Sequence, residues 1–103
     1  MDAANQLNRA DLDTLKGPAV VEFGASWCGY CQTAQPMIAA ALSKYPDINH
    51  IRIEDGKGQR LGRTYAVKLW PTLIFLKDGI EINRLVRPAD IASITNALGE
   101  LSS

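Results

Sequence analysis

The sequence predicts an α/β fold in which helices cover both faces of a mixed β-sheet. Two runs, 19–24 and 73–76, are apolar almost throughout, which is typical of central strands that are buried on both faces. Helix-like segments alternate with the strand-like runs until a hairpin turn at 77–79 joins the last two strands. In such a sheet, a functional site is expected at the carboxyl ends of the parallel strands.

Length and composition predict one globular domain over 1–103. Apolar residues make up 47% of the chain and charged residues 21%, the ordinary globular mixture. Eleven basic residues balance eleven acidic ones, so the net charge gives no reason to expect a nucleic acid or a membrane surface as partner. No apolar run approaches the roughly 18 residues of a membrane span, and 1–10 lacks the pattern of a secretory signal, so we expect a cytoplasmic protein.

Two helices are predicted in the first half of the chain. A short one is expected over 8–15, because Asn8 can cap its amino end. A long one is expected over 28–44, starting at 28 or 29, where apolar residues recur at helical spacing. Pro36 lies inside this helix, and because proline lacks a backbone donor we expect a kink.

The second half continues the alternation. A strand is predicted over 48–53, and a third helix around Leu61 and Tyr65. An alternating run over 80–86 predicts a strand near the edge of the sheet. The last helix is expected to open at 88–90, and its apolar stripe would consist of Ile91, Ile94, Leu98 and Leu101.

The only two cysteines, Cys28 and Cys31, lie where the first buried strand gives way to the long helix. Backbone N–H groups and the helix dipole stabilise a thiolate at the amino end of a helix, so the pKa of Cys28 should fall below the ~8.5 of a free thiol. Cys28 would then attack a substrate disulfide, and Cys31, less than one turn away, would displace the reduced product.

A structural disulfide and a metal site are the alternatives for this pair. A bridge that closes so short a loop constrains the unfolded chain very little. A zinc site requires four ligands, and only His50 adds a further nitrogen or sulfur donor. Redox chemistry is therefore favoured, with no bound cofactor or metal, although a metal cluster shared by two chains through Cys28 stays open.

Several segments resemble the thioredoxin family. The segment 23–31, followed by Pro36, resembles its active-site strand, Cys-x-x-Cys motif and kinked helix. Residues 70–72 resemble its cis-proline loop, and 75–79 resemble the hairpin that follows. The resemblance covers nearly the whole chain and implies the thioredoxin fold, a central mixed sheet of four or five strands, the fifth being a short strand at 5–7.

By position, the resemblance implies four central residues: Cys28 as nucleophile, Cys31 as resolving cysteine, Pro71 as cis-proline and Glu22 as buried carboxylate. Burial in an apolar strand is expected to raise the pKa of Glu22, which would make it the proton acceptor for Cys31. The alternative is an edge-facing glutamate that reaches solvent. His50 and Arg52 fall near the position of a family lysine beside this carboxylate, although a surface histidine is the simpler interpretation.

A substrate-binding surface is expected around Cys28. A cis peptide at Pro71 would expose the backbone of Trp70 to an extended substrate strand. Trp27 and Trp70 would flank the thiol as an apolar docking surface. Gly29 and Tyr30 stand where standard thioredoxins have Gly-Pro, and this pair resembles that of bacterial periplasmic disulfide isomerases.

Further departures from the family pattern affect the expected specificity. Arg87 stands where the family more often has glycine, and its charge would favour both the Cys28 thiolate and acidic substrate segments. The alternative is a solvated arginine. Gly24 stands where the family more often has an aromatic residue, and Trp70 where it more often has a small aliphatic one.

We therefore expect a protein-disulfide reductase that works through a dithiol-disulfide exchange at Cys28 and Cys31 and serves electron transport and cell redox homeostasis. The resemblance implies a thioredoxin reductase as electron donor, and we expect a monomer. The residues between the cysteines tune thiolate stability, so a disulfide oxidase or isomerase is the nearest alternative. A binding or chaperone module without redox turnover is the alternative from a different class.

Overall fold

The computed structural model describes residues 7–56 and 59–102, so residues 5 and 6 of the possible first strand lie outside it. The strands are β1 (Pro18–Gly24), β2 (Asn49–Glu54), β3 (Thr72–Lys77) and β4 (Ile80–Val86). The helices are α1 (Arg9–Asp13), α2 (Gly29–Leu42), α3 (Leu61–Thr64) and α4 (Ile91–Ser102). The described strands form one mixed sheet in the order β2-β1-β3-β4, in which β1 is parallel to β2, and β3 is antiparallel to both β1 and β4.

The sheet separates two apolar layers, as the predicted fold class requires. One layer packs the sheet against α2 and α4, and its buried members include Val20, Ile38, Phe75 and Leu98. The other packs the opposite face against α1 and α3, and its buried members include Leu12, Val21, Tyr65 and Ile74. Successive residues of β1 and β3 therefore point into different layers, which explains why both strands are largely apolar, with the buried Glu22 as the charged exception in β1.

The first helix begins as predicted, at a cap formed by Asn8. The Asn8 side chain accepts the N–H of Asp11 at 3.0 Å, and the Asp11 carboxylate accepts the N–H of Asn8 at 2.9 Å. This reciprocal pair satisfies two backbone donors at the helix start. The helix ends at Asp13, earlier than the predicted 15.

The last helix differs from its prediction at the first turn. It begins at Ile91, after Asp90, whose carboxylate accepts the N–H of Ser93 at 2.8 Å. Ile91 is 42% exposed, so its place in the apolar stripe is wrong. The buried face instead runs through Ile94, Ala97, Leu98 and Leu101. No helix within the described ranges is long and apolar enough to cross a membrane.

The pairing of β1 with β3 brings two segments that are distant in the sequence to the same end of the sheet. Phe23, near the end of β1, is paired with Thr72 at the start of β3. The cysteine segment that follows β1 and the loop that precedes β3 therefore meet. In that loop the Trp70–Pro71 peptide is cis, as expected.

Candidate active site

Cys28 is the amino-terminal cap of α2. Its Sγ accepts the N–H of Cys31 at 3.3 Å, both cysteines are buried, and neither is in a disulfide. Burial alone would raise the pKa of Cys28. Hydrogen bonds from the Cys31 thiol and from the N–H groups of Cys31 and Tyr30, with the charge of Arg87, outweigh burial and lower that pKa below its ordinary value.

The pKa of Cys31 is shifted in the opposite direction. Burial raises its pKa to about 11, and its hydrogen bond to Cys28 and the negative charges of Cys28 and Glu22 act in the same direction. Cys28 is therefore the thiol of the pair that loses its proton first as pH rises, while Cys31 keeps its proton at neutral pH. Attack by Cys31 consequently requires a group that removes this proton.

Glu22 lies at the centre of β1 and is 3% exposed, so an edge-facing glutamate in solvent is excluded. Its carboxylate accepts a hydrogen bond from Gln35, lies 2.8 Å from Nε2 of His50, and lies 3.8 Å from Nε of Arg52. Burial raises the pKa of Glu22, but the hydrogen bonds from His50 and Gln35 and the charges of His50 and Arg52 outweigh it. The expected rise is therefore wrong, and the pKa is lowered below its ordinary value.

His50 and Arg52 reach Glu22 because of the pairing between β1 and β2. The register places Arg52 opposite Glu22, and His50 two residues earlier lies on the same face. His50 is therefore a partner of the buried carboxylate rather than a free surface histidine. The sequence already carried the signal, an alternating His-x-Arg on the strand that pairs with β1.

Glu22 and Cys31 both line a cavity of about 70 Å³. One water needs about 10–15 Å³ of such space, so the cavity has room for water. Gly24 lines the cavity, and a Cβ added there would lie 2.9 Å from Sγ of Cys31, closer than ordinary contacts allow. Gly24 therefore leaves space for this sulfur and for the cavity.

Three aromatic side chains, those of Trp27, Tyr30 and Trp70, line the groove that contains Cys28. Trp27 and Tyr30 are 70% and 61% exposed, and the rings of Trp27 and Trp70 meet edge to face with centroids 5.3 Å apart. The indole N–H of Trp70 donates to Asp55 at 2.9 Å, which fixes the ring. Asp55 was not predicted as a site residue, because nothing in its loop sequence indicates a bond to a tryptophan fifteen positions away.

Arg87 is exposed, but its side chain lies against the same surface and contacts two of its residues. Its Nε donates to the carbonyl oxygen of Trp70 at 2.8 Å, and its Cζ lies 3.8 Å from the centre of the Tyr30 ring. Its backbone N–H donates to the Pro71 carbonyl at 2.9 Å. Its φ is +50°, in the left-handed region where glycine is favoured.

Comparison with known proteins yields a consistent set of relatives. The sequence model of the thioredoxin family matches residues 4–100. An H-type thioredoxin of Ricinus communis is 33% identical over 86 residues, which cover 84% of this chain and 72% of the relative. A thioredoxin of Chlamydia trachomatis is 29% identical over 100 residues, 97% of each chain. The reduced thioredoxin 2 of Pseudomonas aeruginosa PAO1 superimposes with a TM-score of 0.85 and 50% identity, over 93% of this chain and 89% of that one.

Proposed function

Because the chain belongs to the thioredoxin family and is a thiol-disulfide oxidoreductase that reduces protein disulfides, we propose that Cys28 is the attacking thiolate and Cys31 the resolving cysteine. The position of Cys28 as the cap of α2 carries this assignment, since its sulfur accepts N–H donors there and its pKa is lowered.

The reaction then has two exchanges. The Cys28 thiolate attacks one substrate sulfur, a bond forms between these two sulfurs, and the substrate disulfide breaks to release a thiolate that takes up a proton. Cys31 loses its proton and attacks Sγ of Cys28, which forms the Cys28–Cys31 disulfide and releases the second substrate thiol. Two electrons pass from the dithiol to the substrate disulfide.

We assign Glu22 as the group that accepts the proton of Cys31. It is ionised at neutral pH because its pKa is lowered, and it shares the 70 Å³ cavity with Cys31. Water in that cavity would carry the proton between them. The lowered pKa makes Glu22 a weaker base than the sequence predicts, but it keeps the carboxylate ionised and therefore able to accept a proton.

The substrate surface consists of the exposed aromatic residues and the loop before β3. An extended peptide would pair with the backbone of Trp70 before the cis peptide of Pro71. Trp27, Gly29 and Tyr30 line the groove beside the thiol and would contact its side chains.

The cellular context follows from the family and remains part of the proposal. We propose a monomer of one domain over 1–103, working in the cytoplasm with a thioredoxin reductase as electron donor. Such a donor would regenerate the dithiol of Cys28 and Cys31 after each turnover and link the protein to electron transport and cell redox homeostasis.

The reduction potential tests the direction of electron flow. We expect a value near the roughly −270 mV of thioredoxin itself, far from the roughly −120 mV of the strongest oxidant of this superfamily. The measurement is an equilibrium titration with glutathione or dithiothreitol, followed by the fluorescence of Trp27 next to Cys28. A value near the upper end would favour an oxidase or isomerase and overturn the proposed direction.

Arg87→Gly tests whether this charge supports the Cys28 thiolate. Loss of a nearby positive charge should raise the pKa of Cys28, so the alkylation rate plotted against pH should shift to higher pH. At pH 7 the rate of reaction with iodoacetamide should fall about two- to fivefold, as expected for a partly exposed charge. Arg63→Ala removes an exposed arginine from α3 as control. Identical profiles for Arg87→Gly and the unaltered protein would remove the electrostatic role.

A further inference from the structure

We propose that Arg87 is a latch on the substrate surface, which opens for extended peptides that carry a carboxylate beside the reacting cysteine. The inference rests on the proposed function, because it assumes that a substrate strand pairs with the backbone of Trp70. It adds a substrate class, acidic peptides, and names the residue that selects them.

In the closed state, Arg87 is hydrogen-bonded to the carbonyl oxygen of Trp70, which is the acceptor that a substrate strand needs. The Trp70 carbonyl oxygen accepts the Nε–H of Arg87 at 2.8 Å, and Sγ of Cys28 lies 4.0 Å from the same oxygen. Arg87 is thus already hydrogen-bonded to this acceptor, and the sulfur of Cys28 crowds it on the thiol side. A backbone N–H of an incoming peptide must therefore displace Arg87 to reach this oxygen.

The latch also divides the surface into two grooves. The thiol groove, which contains Cys28 and Trp70, has a volume of about 380 Å³, and the apolar groove, which contains Met37 and Pro88, has about 630 Å³. Tyr30 and Arg87 line both grooves, and their stacked side chains stand between them. Removal of the guanidinium from this position would join the two grooves into one path for an extended chain.

Charge decides which peptides open the latch. The charged residues that line the thiol groove are Lys68 and Arg87, and no acidic residue lines it in the described part of the chain. A peptide that displaces Arg87 breaks the bond from its Nε to Trp70. A carboxylate replaces that bond with a charge-assisted and bidentate one, whereas a neutral side chain does not. The difference in binding free energy between the acidic and the neutral peptide sets the specificity.

The test uses two disulfide-linked peptides that are identical except for glutamate or glutamine beside the cysteine. The ratio of kcat/KM for the two peptides is measured with the full chain, with Arg87→Gly and with Arg63→Ala. We expect a preference of about five- to tenfold for the glutamate peptide in the unaltered protein at low salt, and a ratio near one in Arg87→Gly. Any change in the reactivity of Cys28 affects both peptides equally and cancels in the ratio.

Arg63→Ala removes the same charge from an exposed position on α3 and should keep the preference. The preference should also weaken in 0.5 M salt, since the pair is near the surface. If the unaltered protein shows no preference, or if Arg87→Gly retains it, the latch is refuted, and retention would assign the charge effect to Lys68. If neither peptide is reduced by the unaltered protein, the proposed function itself fails.

Discussion

Replacing Cys28 by serine should abolish the reduction of protein disulfides, with a loss of at least about a thousandfold in kcat/KM. The cap position lowers the pKa of the Cys28 thiol, and a hydroxyl neither ionises there nor forms a disulfide with substrate. The measurement is the rate of reduction of a protein disulfide with dithiothreitol as terminal reductant. The melting temperature of the variant should stay close to that of the unaltered protein, because the two side chains have nearly the same shape.

Cys31→Ser is the matched control for this loss. It leaves the attacking thiolate in place but removes the thiol that displaces the product, so one equivalent of substrate should remain attached to Cys28. Mass spectrometry under acid quench detects the adduct. A Cys28→Ser protein that still reduces disulfides, or a Cys31→Ser protein that forms no adduct, would contradict the assigned roles.

The main elements of the fold could be predicted because they depend on local pattern. The apolar runs of β1 and β3, the cap at Asn8 and the hairpin at Asp78 are each determined by a few neighbouring residues. Element ends were less accurate, since a terminal turn depends on packing beyond its own sequence. Ile91 illustrates this, because its spacing fits the stripe of α4 while its side chain stays 42% exposed.

The cysteine pair and the cis-proline loop could also be predicted, since each is a contiguous motif. The direction of the pKa shift of Glu22 could not be predicted. Its sign depends on three partners from two other elements, and their positions follow from the register between β1 and β2 and from the packing of α2. The apolar pattern of β1 indicates the cost of burying Glu22, but the hydrogen bonds that outweigh this cost come from residues distant in the sequence.

The contacts of Trp70 escaped prediction for the same reason. Its side chain is held by Asp55 and its carbonyl by Arg87, which lie 15 and 17 positions away in the sequence. Once β3 is paired between β1 and β4, these residues converge on one loop. Trp70 is thus fixed at both its side chain and its backbone, and these two contacts become visible only in the three-dimensional arrangement.

Glu22→Gln should slow the second exchange roughly a hundredfold and leave the first nearly unchanged, as expected for the loss of a general base. The pKa of Cys31 is raised to about 11, so this thiol depends on an acceptor near neutral pH. Glutamine has nearly the same shape as glutamate but cannot accept the proton. Stopped-flow fluorescence of Trp27 separates the two steps, and the adduct on Cys28 should persist longer in the variant.

Two controls separate the proton acceptor from a general disturbance of β1. Asp47→Asn removes an exposed carboxylate and should leave both exchanges unchanged. His50→Gln removes a partner that holds the pKa of Glu22 down, so Glu22 becomes a stronger base and the second exchange should not slow. If Glu22→Gln resolves the adduct at the normal rate, Glu22 does not take the proton. If both exchanges slow together, the carboxylate acts through the packing around α2, and the proton leaves Cys31 by another route.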